Sequence, residues 1–479
     1  MYSSCLDNRL ETDEAQLIEQ VSQRASKGFT AGPDSFTLNI RPNSFPVVPE
    51  SRRQCHIDDL VDDVLVIILK HLSIFDRMRL ERVCRRWQRI SLNSWQNVRS
   101  LRFSDLYEMD EEFIDVRDCN KVLISLLKRA GTHLLSLDIS DSFLTGSVMD
   151  FSERAYRALG KYCHNVVELD LSYVALSNIH LQILAEYSNQ ITKLRLVRCF
   201  EDEPQPDVGL ACIFQCMKSL EYIDLSMNET INGECFCALR NSLRSLLLNS
   251  CFTISGRSLE LMSQRCPDLL RLELYGCVHP LSIVLENLPN LETLSLNSCQ
   301  GNDQLHQVMR HRLSNVRNLD LGHSSSLVKD QVMTALAEGC PNLERLNLSG
   351  KFGRATSSGL LLLARCKRLK ELDISWLESV NDELLLAIAR NGTLESLHAH
   401  LCENISSVGV VGSVKLCTRL SFFDITGCSN IDVDCLCELS SVCAEARHRL
   451  TVHVSGDGID ASTISKWNHE FFLAQKAML

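Results

Sequence analysis

No stretch of the sequence approaches the ~18 consecutive apolar residues of a membrane span, and residues 1–30 hold no apolar run like that of a secretory leader. The expectation is therefore a cytoplasmic and/or nuclear chain whose 22 cysteines are reduced thiols. Triplets beginning at Asn228, Asn347, Asn391 and Asn404 match the glycosylation pattern, but such triplets arise by chance, and Asn347 falls in an expected strand. Positive charge is also in short supply: 49 Lys and Arg stand against 60 Asp and Glu, a formal net charge of −11. That balance argues against binding nucleic acid through overall charge, which needs cations facing phosphate, and favours a protein partner. There is no C-x-x-C. The nearest approaches are Cys235-Phe-Cys237 and Cys435-Leu-Cys437, so no metal is assigned. Equally missing are G-x-S-x-G, H-E-x-x-H, a P-loop and a strand-to-helix G-x-G-x-x-G. His and Asp residues are spread along the chain, so no catalytic residue and no cofactor is assigned and a non-enzyme is expected.

What is present begins with a composition shift. Residues 1–55 are rich in Ser, Asn, Pro and Gly, and Pro33, Pro42, Pro46 and Pro49 interrupt any helix or ladder, so this stretch reads as a disordered arm with room for one short helix around Glu14–Arg24. From Val98 onward one pattern recurs: an apolar residue followed three and five positions later by two more. It runs from Val98/Leu101/Phe103 to Leu420/Phe423/Ile425 in thirteen copies, 22 to 36 residues apart, which centres on the period of leucine-rich repeats. The last two apolar residues of each copy share one face of a short strand, and the residue between them faces the other way. Apolar residues at helical spacing precede strands, as in Val332/Leu336/Ala337 and Leu384/Leu385/Ile388/Ala389, and supply a helix facing the same core. One such coil cannot bury its apolar face alone, whereas stacked coils can. The expected fold is α/β: a leucine-rich-repeat solenoid over residues 98–455, a curved arc of parallel strands with outer helices. Residues 456–479, with Trp467, Phe471, Phe472 and Leu473, read as a cap or tail. Cysteines keep step with the strands: Cys163, Cys266, Cys340, Cys366 and Cys417 before one, Cys199, Cys251, Cys277, Cys299, Cys402 and Cys428 after one. This spacing resembles the cysteine-containing class of repeat, with thiols buried as small hydrophobes.

Between arm and repeats lie residues 56–97. Leu60, Val64, Ile67 or Ile68, and Leu72 form the apolar stripe of one short helix ending near Ser73, and Asp76 is placed to cap a second on which Leu80, Val83, Cys84 and Trp87 share a face. Helices this short need other surfaces to be stable. The segment resembles the F-box, whose pattern is matched at Leu60, Val64, Leu65, Ile68, Leu69, Leu72, Leu80, Val83, Cys84, Arg85, Trp87 and Trp95. It departs at Val61, where the family usually has proline, and at Asp63, where it has glutamate. The resemblance implies a small all-helical F-box docking on the Skp adaptor, and through it on a cullin scaffold and a RING subunit. It also implies that Leu60, Val64, Ile68, Leu72, Val83, Cys84 and Trp87 include the apolar contacts to that adaptor, although each is equally suited to the module's own core. An F-box directly ahead of cysteine-type repeats resembles the F-box/leucine-rich-repeat family, substrate receptors of Skp–cullin–F-box ubiquitin ligases. Two other readings stay open: a plain interaction scaffold capped by a degenerate F-box, and an adaptor of elongin-based cullin ligases.

A protein substrate is expected on the strand face of the arc. Of the twelve positions from Asp138 to Asp424 that lie between the last two apolar residues of a copy, seven are acidic, among them Asp224, Glu273, Asp320 and Asp373. On parallel strands ~4.8 Å apart these form a file of carboxylates suited to a basic or hydrogen-bond-donating segment, or to bonding their own backbone. Tyr275, Trp376, His398 and His400, together with Leu247, Phe200 and Phe252, fall on or just after strands, where anchors meet a ligand. The acidic stretches Asp105–Asp118 and Glu201–Asp207 read as solvated loops.

Overall fold

A computed structural model describes residues 57–103, 116–140, 150–187, 190–279, 281–302, 304–447, 449–454 and 472–476. The expected arm, most of the first acidic stretch and most of the C-terminal tail, including Trp467 and Phe471, lie outside the described residues. The chain divides into two compact units: one ends at Ser140 and includes Lys161–Val166, and the other holds the residues up to Gly160 and those from Val167 on.

The first unit opens with three helices, α1 (Asp62–Lys70), α2 (Ile74–Leu80) and α3 (Arg85–Ser94). Leu65, Ile68, Leu69 and Leu72, at i, i+3, i+4 and i+7, form the core stripe of α1 and its C-terminal turn and bury it with Leu80, Trp87 and Ile90. The expected cap at Asp76 is corrected. Ser73 caps α2 by accepting the Asp76 N–H at 3.1 Å and donates to the Asp76 carboxylate at 2.9 Å, a reciprocal arrangement that leaves Asp76 inside the first turn. The single helix expected over Leu80–Trp87 is corrected as well. Cys84 is extended and its sulfur accepts the Trp87 N–H at 3.5 Å, so it starts a new helix, and Val83 lies outside the face that Trp87 buries. Arg86 and Arg89 both pair with Asp62, at 3.0 and 2.8 Å, and lace α3 to the start of α1. Glu81, with only 7 % of its side chain exposed, forms a bidentate pair with Arg129 (2.8 and 2.6 Å) and accepts from the Trp95 indole at 3.3 Å. Arg129 belongs to α4 (Val116–Ala130), so this buried pair ties the helical module to the first repeat, whose strands β1 (Ser100–Arg102) and β2 (Ser136–Asp138) pair in parallel with Leu101 opposite Leu137.

The second unit is a parallel sheet in sequence order: β3 (Glu168–Asp170), β4 (Lys193–Arg195), β5 (Tyr222–Asp224), β6 (Ser245–Asn249), β7 (Arg271–Tyr275), β8 (Thr293–Ser295), β9 (Asn318–Asp320), β10 (Arg345–Asn347), β11 (Glu371–Asp373), β12 (Ser396–His398), β13 (Phe422–Asp424), β14 (Leu450–Val454) and β15 (Phe472–Lys476). The backbone of β15 extends the ladder beyond β14. Helices or 3-10 turns alternate with the strands, as the apolar spacing predicts. The central residues align in one row from Leu169 through Leu372, Leu397 and Phe423 to Val452, each 2 % exposed or less. Parallel strands this short stack because every central side chain lands on its equivalent in the next coil.

Two features of the turn after each strand were not legible as periodicity. One residue in most turns is left-handed, among them Tyr173, Arg198, Met227, Ser298, His323, Trp376 and Leu401 with φ between 52° and 69°, and glycine serves at 276, 350 and 427. The conformation turns that residue's N–H to the next coil, as in Arg198 to the Ser226 carbonyl (3.0 Å) and Trp376 to the His400 carbonyl (2.8 Å), an added inter-coil bond that offsets the strain. The second feature is a donor immediately after that left-handed residue. Cys199, Cys251, Cys299, Cys402 and Cys428 each donate a thiol proton to the carbonyl that ends the preceding coil's apolar strand, at 3.1 to 3.4 Å. Ser324 donates there through its hydroxyl at 2.6 Å and Asn228 through its amide at 2.7 Å. The regular cysteines are thus weak donors to carbonyls of the preceding coil as well as small hydrophobes.

Among the described residues every cysteine is a free thiol. Burial pushes the thiols of Cys163, Cys251, Cys266, Cys299, Cys340 and Cys402 up to about 12, and those of Cys366, Cys428 and Cys435 to about 11, from an ordinary 9.0. The unfolded chain loses these protons first. Stability against urea is therefore expected to be insensitive to thiol ionisation below pH 9 and to fall steadily as pH rises toward 11 to 12. Asn228, 2 % exposed, also accepts from the N–H groups of Cys199 (2.8 Å) and Phe200 (3.2 Å), so its amide is committed on both sides and its sequon is closed to a glycan. Asn228→Ala removes a partner from two N–H groups and from the carbonyls of Leu196, Leu225 and Ser226 in one step and is expected to cost ~3 kcal/mol or more in denaturant melts.

Candidate docking surfaces on the F-box and the strand face

The seven residues that the resemblance assigns to adaptor contact divide by environment. Ile68, Leu72 and Trp87 are buried in the module's own core, Leu60 and Val64 are half-buried against it, and Val83 and Cys84 stand exposed on the linker between α2 and α3. The structure adds two apolar residues that the pattern match passed over. Val61, at the N-cap of α1, is 65 % exposed and Ile67 is 42 % exposed. With the flanking Val64 they stand at i, i+3 and i+6, a second stripe on α1 beside the buried one. Val83 is 62 % exposed. The signal separating Ile67 from Ile68 was available: only Ile68 is in phase with Leu65, Leu69 and Leu72.

On the strand face the acidic file is present and each member is partly spent on its own turn. One carboxylate oxygen of Asp138, Asp170, Asp224, Asp320, Asp373 and Asp424 accepts the N–H two residues on, at 2.9 to 3.0 Å, and Asn347 does the same. For Asp170, Glu273 and Asp320 further capacity is also used. Asp170 faces Arg195 at 3.6 Å, Glu273 pairs with Arg271 at 2.5 Å and accepts from Asn249 at 3.0 Å, and Asp320 accepts from Ser295 at 3.0 Å and from Asn297. Burial pushes the Asp224 carboxyl upward, and the neighbouring Glu273 adds to the rise. Arg195 stacks over the Tyr222 ring at 5.2 Å.

Rings gather toward the C-terminal end. Trp376 meets His400 edge to face at 5.4 Å, and Phe422 sits 4.9 Å from His398 and 4.8 Å from His453. Trp376 is 38 % exposed, and His398 and His400 are half-buried. Tyr275, 43 % exposed, lies four strands away beside the exposed Phe252 and is not part of that group. Phe200 and Leu247 are core residues, not surface anchors: the face of each is covered by packed neighbours. Phe422 and His453 were missed because repeat reading tracks the residue between two apolar positions, whereas Phe422 stands one place ahead of them. Strand alternation predicts that it shares the face of Asp424.

The F-box domain family matches residues 57–98. The Caenorhabditis elegans protein EEED8.10, whose name assigns it RNA binding provisionally, is 24 % identical over 427 residues, 87 % of this chain and 56 % of that protein. Mouse F-box/LRR-repeat protein 12 is 30 % identical over 230 residues, 46 % of this chain and 64 % of that protein. The chain thus spans between about half and two thirds of the length of these relatives. The yeast Rad7 and Elc1 complex contains a chain of 16 % identity with a TM-score of 0.47, covering 81 % of this chain and 94 % of that one.

The division between core and surface in the helical module is open to measurement. Ile68→Ala is expected to cost ~2–5 kcal/mol in denaturant unfolding followed by Trp87 and Trp95 fluorescence, while Val83→Ser changes it by less than ~0.5 kcal/mol. A helical module matched by the F-box domain family stands ahead of a ladder of leucine-centred parallel strands and helices, an arrangement similar to that named in the F-box/LRR-repeat relatives.

Proposed function

We propose that the chain is the substrate-recognition subunit of a Skp–cullin–F-box ubiquitin ligase, a non-catalytic adaptor acting in the cytoplasm and/or nucleus. The F-box docks on the Skp adaptor, which brings the cullin and RING subunits, and the strand face holds the protein to be ubiquitinated. The observation that carries the reading is the state of the F-box surface: its core is filled by Leu65, Ile68, Leu69, Leu72, Leu80, Trp87 and Ile90, yet Val61, Ile67 and Val83 stand in solvent. A module of this size with three exposed aliphatic side chains has apolar surface left for a partner. The RNA binding named for the nematode relative has no counterpart in the charge of this chain, whose 60 carboxylates outnumber its 49 cations, with seven acidic residues in the file on the strand face.

Replacing Val61, Ile67 and Val83 together with Asp is the direct test. Charges in an apolar interface are expected to weaken capture of the Skp adaptor by at least ~100-fold without lowering the melting temperature, since none of the three belongs to the core. Undiminished adaptor capture overturns the assignment of this surface. Co-purification of the parent chain with elongin, or with neither adaptor, favours the elongin-linked or plain scaffold reading instead.

A further inference from the structure

Along the carboxylate file on the strand face, Asp170, Glu273 and Asp320 meet Arg195, Arg271, Ser295 or Asn297, whereas Asp224, Asp373 and Asp424 pair with no Lys or Arg among the described residues. Asp373 and Asp424 are set apart from Asp224 by the rings around them. Each gives one oxygen to its own turn, through the Ser375 and Thr426 N–H groups at 3.0 and 2.9 Å, and among the described residues no Lys or Arg pairs with either. They lie in register with His398 between them, and His453 follows Asp424. Around this row stand the rings of Trp376 and His400, in contact at 5.4 Å, and of Phe422, 4.9 Å from His398 and 4.8 Å from His453.

Trp376 takes the left-handed turn position with φ of 69°, held in other coils by residues such as Tyr173, Met227, His323 and Leu401, and 38 % of it remains exposed beside His400. Two carboxylates without cations, set among aromatic and imidazole faces, attract a flat delocalised cation. A guanidinium stacks on such faces and forks onto a carboxylate at its edge, which an ammonium does less well.

Spacing narrows the ligand further. Asp373 and Asp424 are two strands apart, ~9.6 Å across the ladder. In a polyproline II helix, with three residues per turn, residues i and i+3 share one face ~9.3 Å apart. We infer that strands β11–β14 form a binding site for a protein segment in polyproline II conformation carrying two arginines three positions apart, one held by Trp376 and Asp373, the other by Phe422 and Asp424. This rests on the substrate-receptor reading and specifies the chemistry of the segment captured.

The test uses the purified full chain without any adaptor and a fluorescein-labelled peptide, Gly-Ser-Arg-Gly-Ser-Arg-Gly-Ser-Gly, read by anisotropy and by quenching of tryptophan emission. Saturable binding is expected, at least about tenfold weaker when both arginines are replaced by citrulline, and weaker again when the two arginines are adjacent. The double variant Asp373→Asn and Asp424→Asn keeps the acceptor oxygen of each turn and so the fold. It is expected to lose at least about tenfold in affinity with its melting temperature unchanged, and Trp376→Ala to lose both affinity and quenching. Equal binding of the citrulline peptide, equal binding by the double variant, or no saturable binding overturns the proposal. Equal binding of a lysine version overturns the guanidinium assignment. Because the F-box takes no part in this assay, its failure leaves the adaptor reading untouched, and loss of adaptor capture on changing Val61, Ile67 and Val83 leaves this site untouched.

Discussion

In seven coils of the repeat unit the carbonyl that ends the apolar strand accepts from a side chain of the next coil, and this inter-coil contact is the one on which the stacking turns. Cys199 supplies it to Leu171, Asn228 to Leu196, Cys251 to Leu225, Cys299 to Leu274, Ser324 to Leu296, Cys402 to Ile374 and Cys428 to Ala399. A carbonyl has two lone pairs, and at Leu171, Leu296 and Ile374 the side chain adds a second donor beside the backbone N–H of Val174, Cys299 and Leu377, so the donor must be small, buried and regularly placed. Thiol, hydroxyl and primary amide all meet that demand, and the apolar surroundings that suit a thiol also keep it protonated. With the carbonyl satisfied, the left-handed residue just ahead of the donor can hand its own N–H across, and the leucine rows fall into register.

The same economy of position governs the strand face. The residue between two core leucines faces solvent, but its carboxylate is first recruited by the N–H two residues on. The second oxygen varies from coil to coil: Asp170, Glu273 and Asp320 find donors on adjacent strands, and Asp224, Asp373 and Asp424 pair with no Lys or Arg among the described residues. A consensus residue becomes a recognition element only where its neighbours leave it uncompensated. In the helical module Glu81 shows the converse. It is buried and fully paired with Arg129 and Trp95, so it serves attachment to the first repeat and is not available for contact with a partner.

The amino-acid sequence by itself determined the repeat and the resemblance to the F-box. The apolar period, the alternation within each copy and the in-step cysteines dictate stacked coils, since no other arrangement buries every leucine, and the pattern from Leu60 to Trp95 identifies the F-box. Identity at a motif position did not reveal environment, however. Ile68, Leu72 and Trp87 fill the core while Val61 and Ile67 are exposed, because where the helix stripe falls depends on what packs against it. The break before Cys84 was hidden for a similar reason: an extended cysteine capping the next turn has no periodic signature. Which carboxylates are neutralised, and which rings meet across strands, was decided only by tertiary structure. Trp376, His400, Phe422 and His453 span more than 70 residues of chain, and only parallel stacking at ~4.8 Å per strand makes them neighbours.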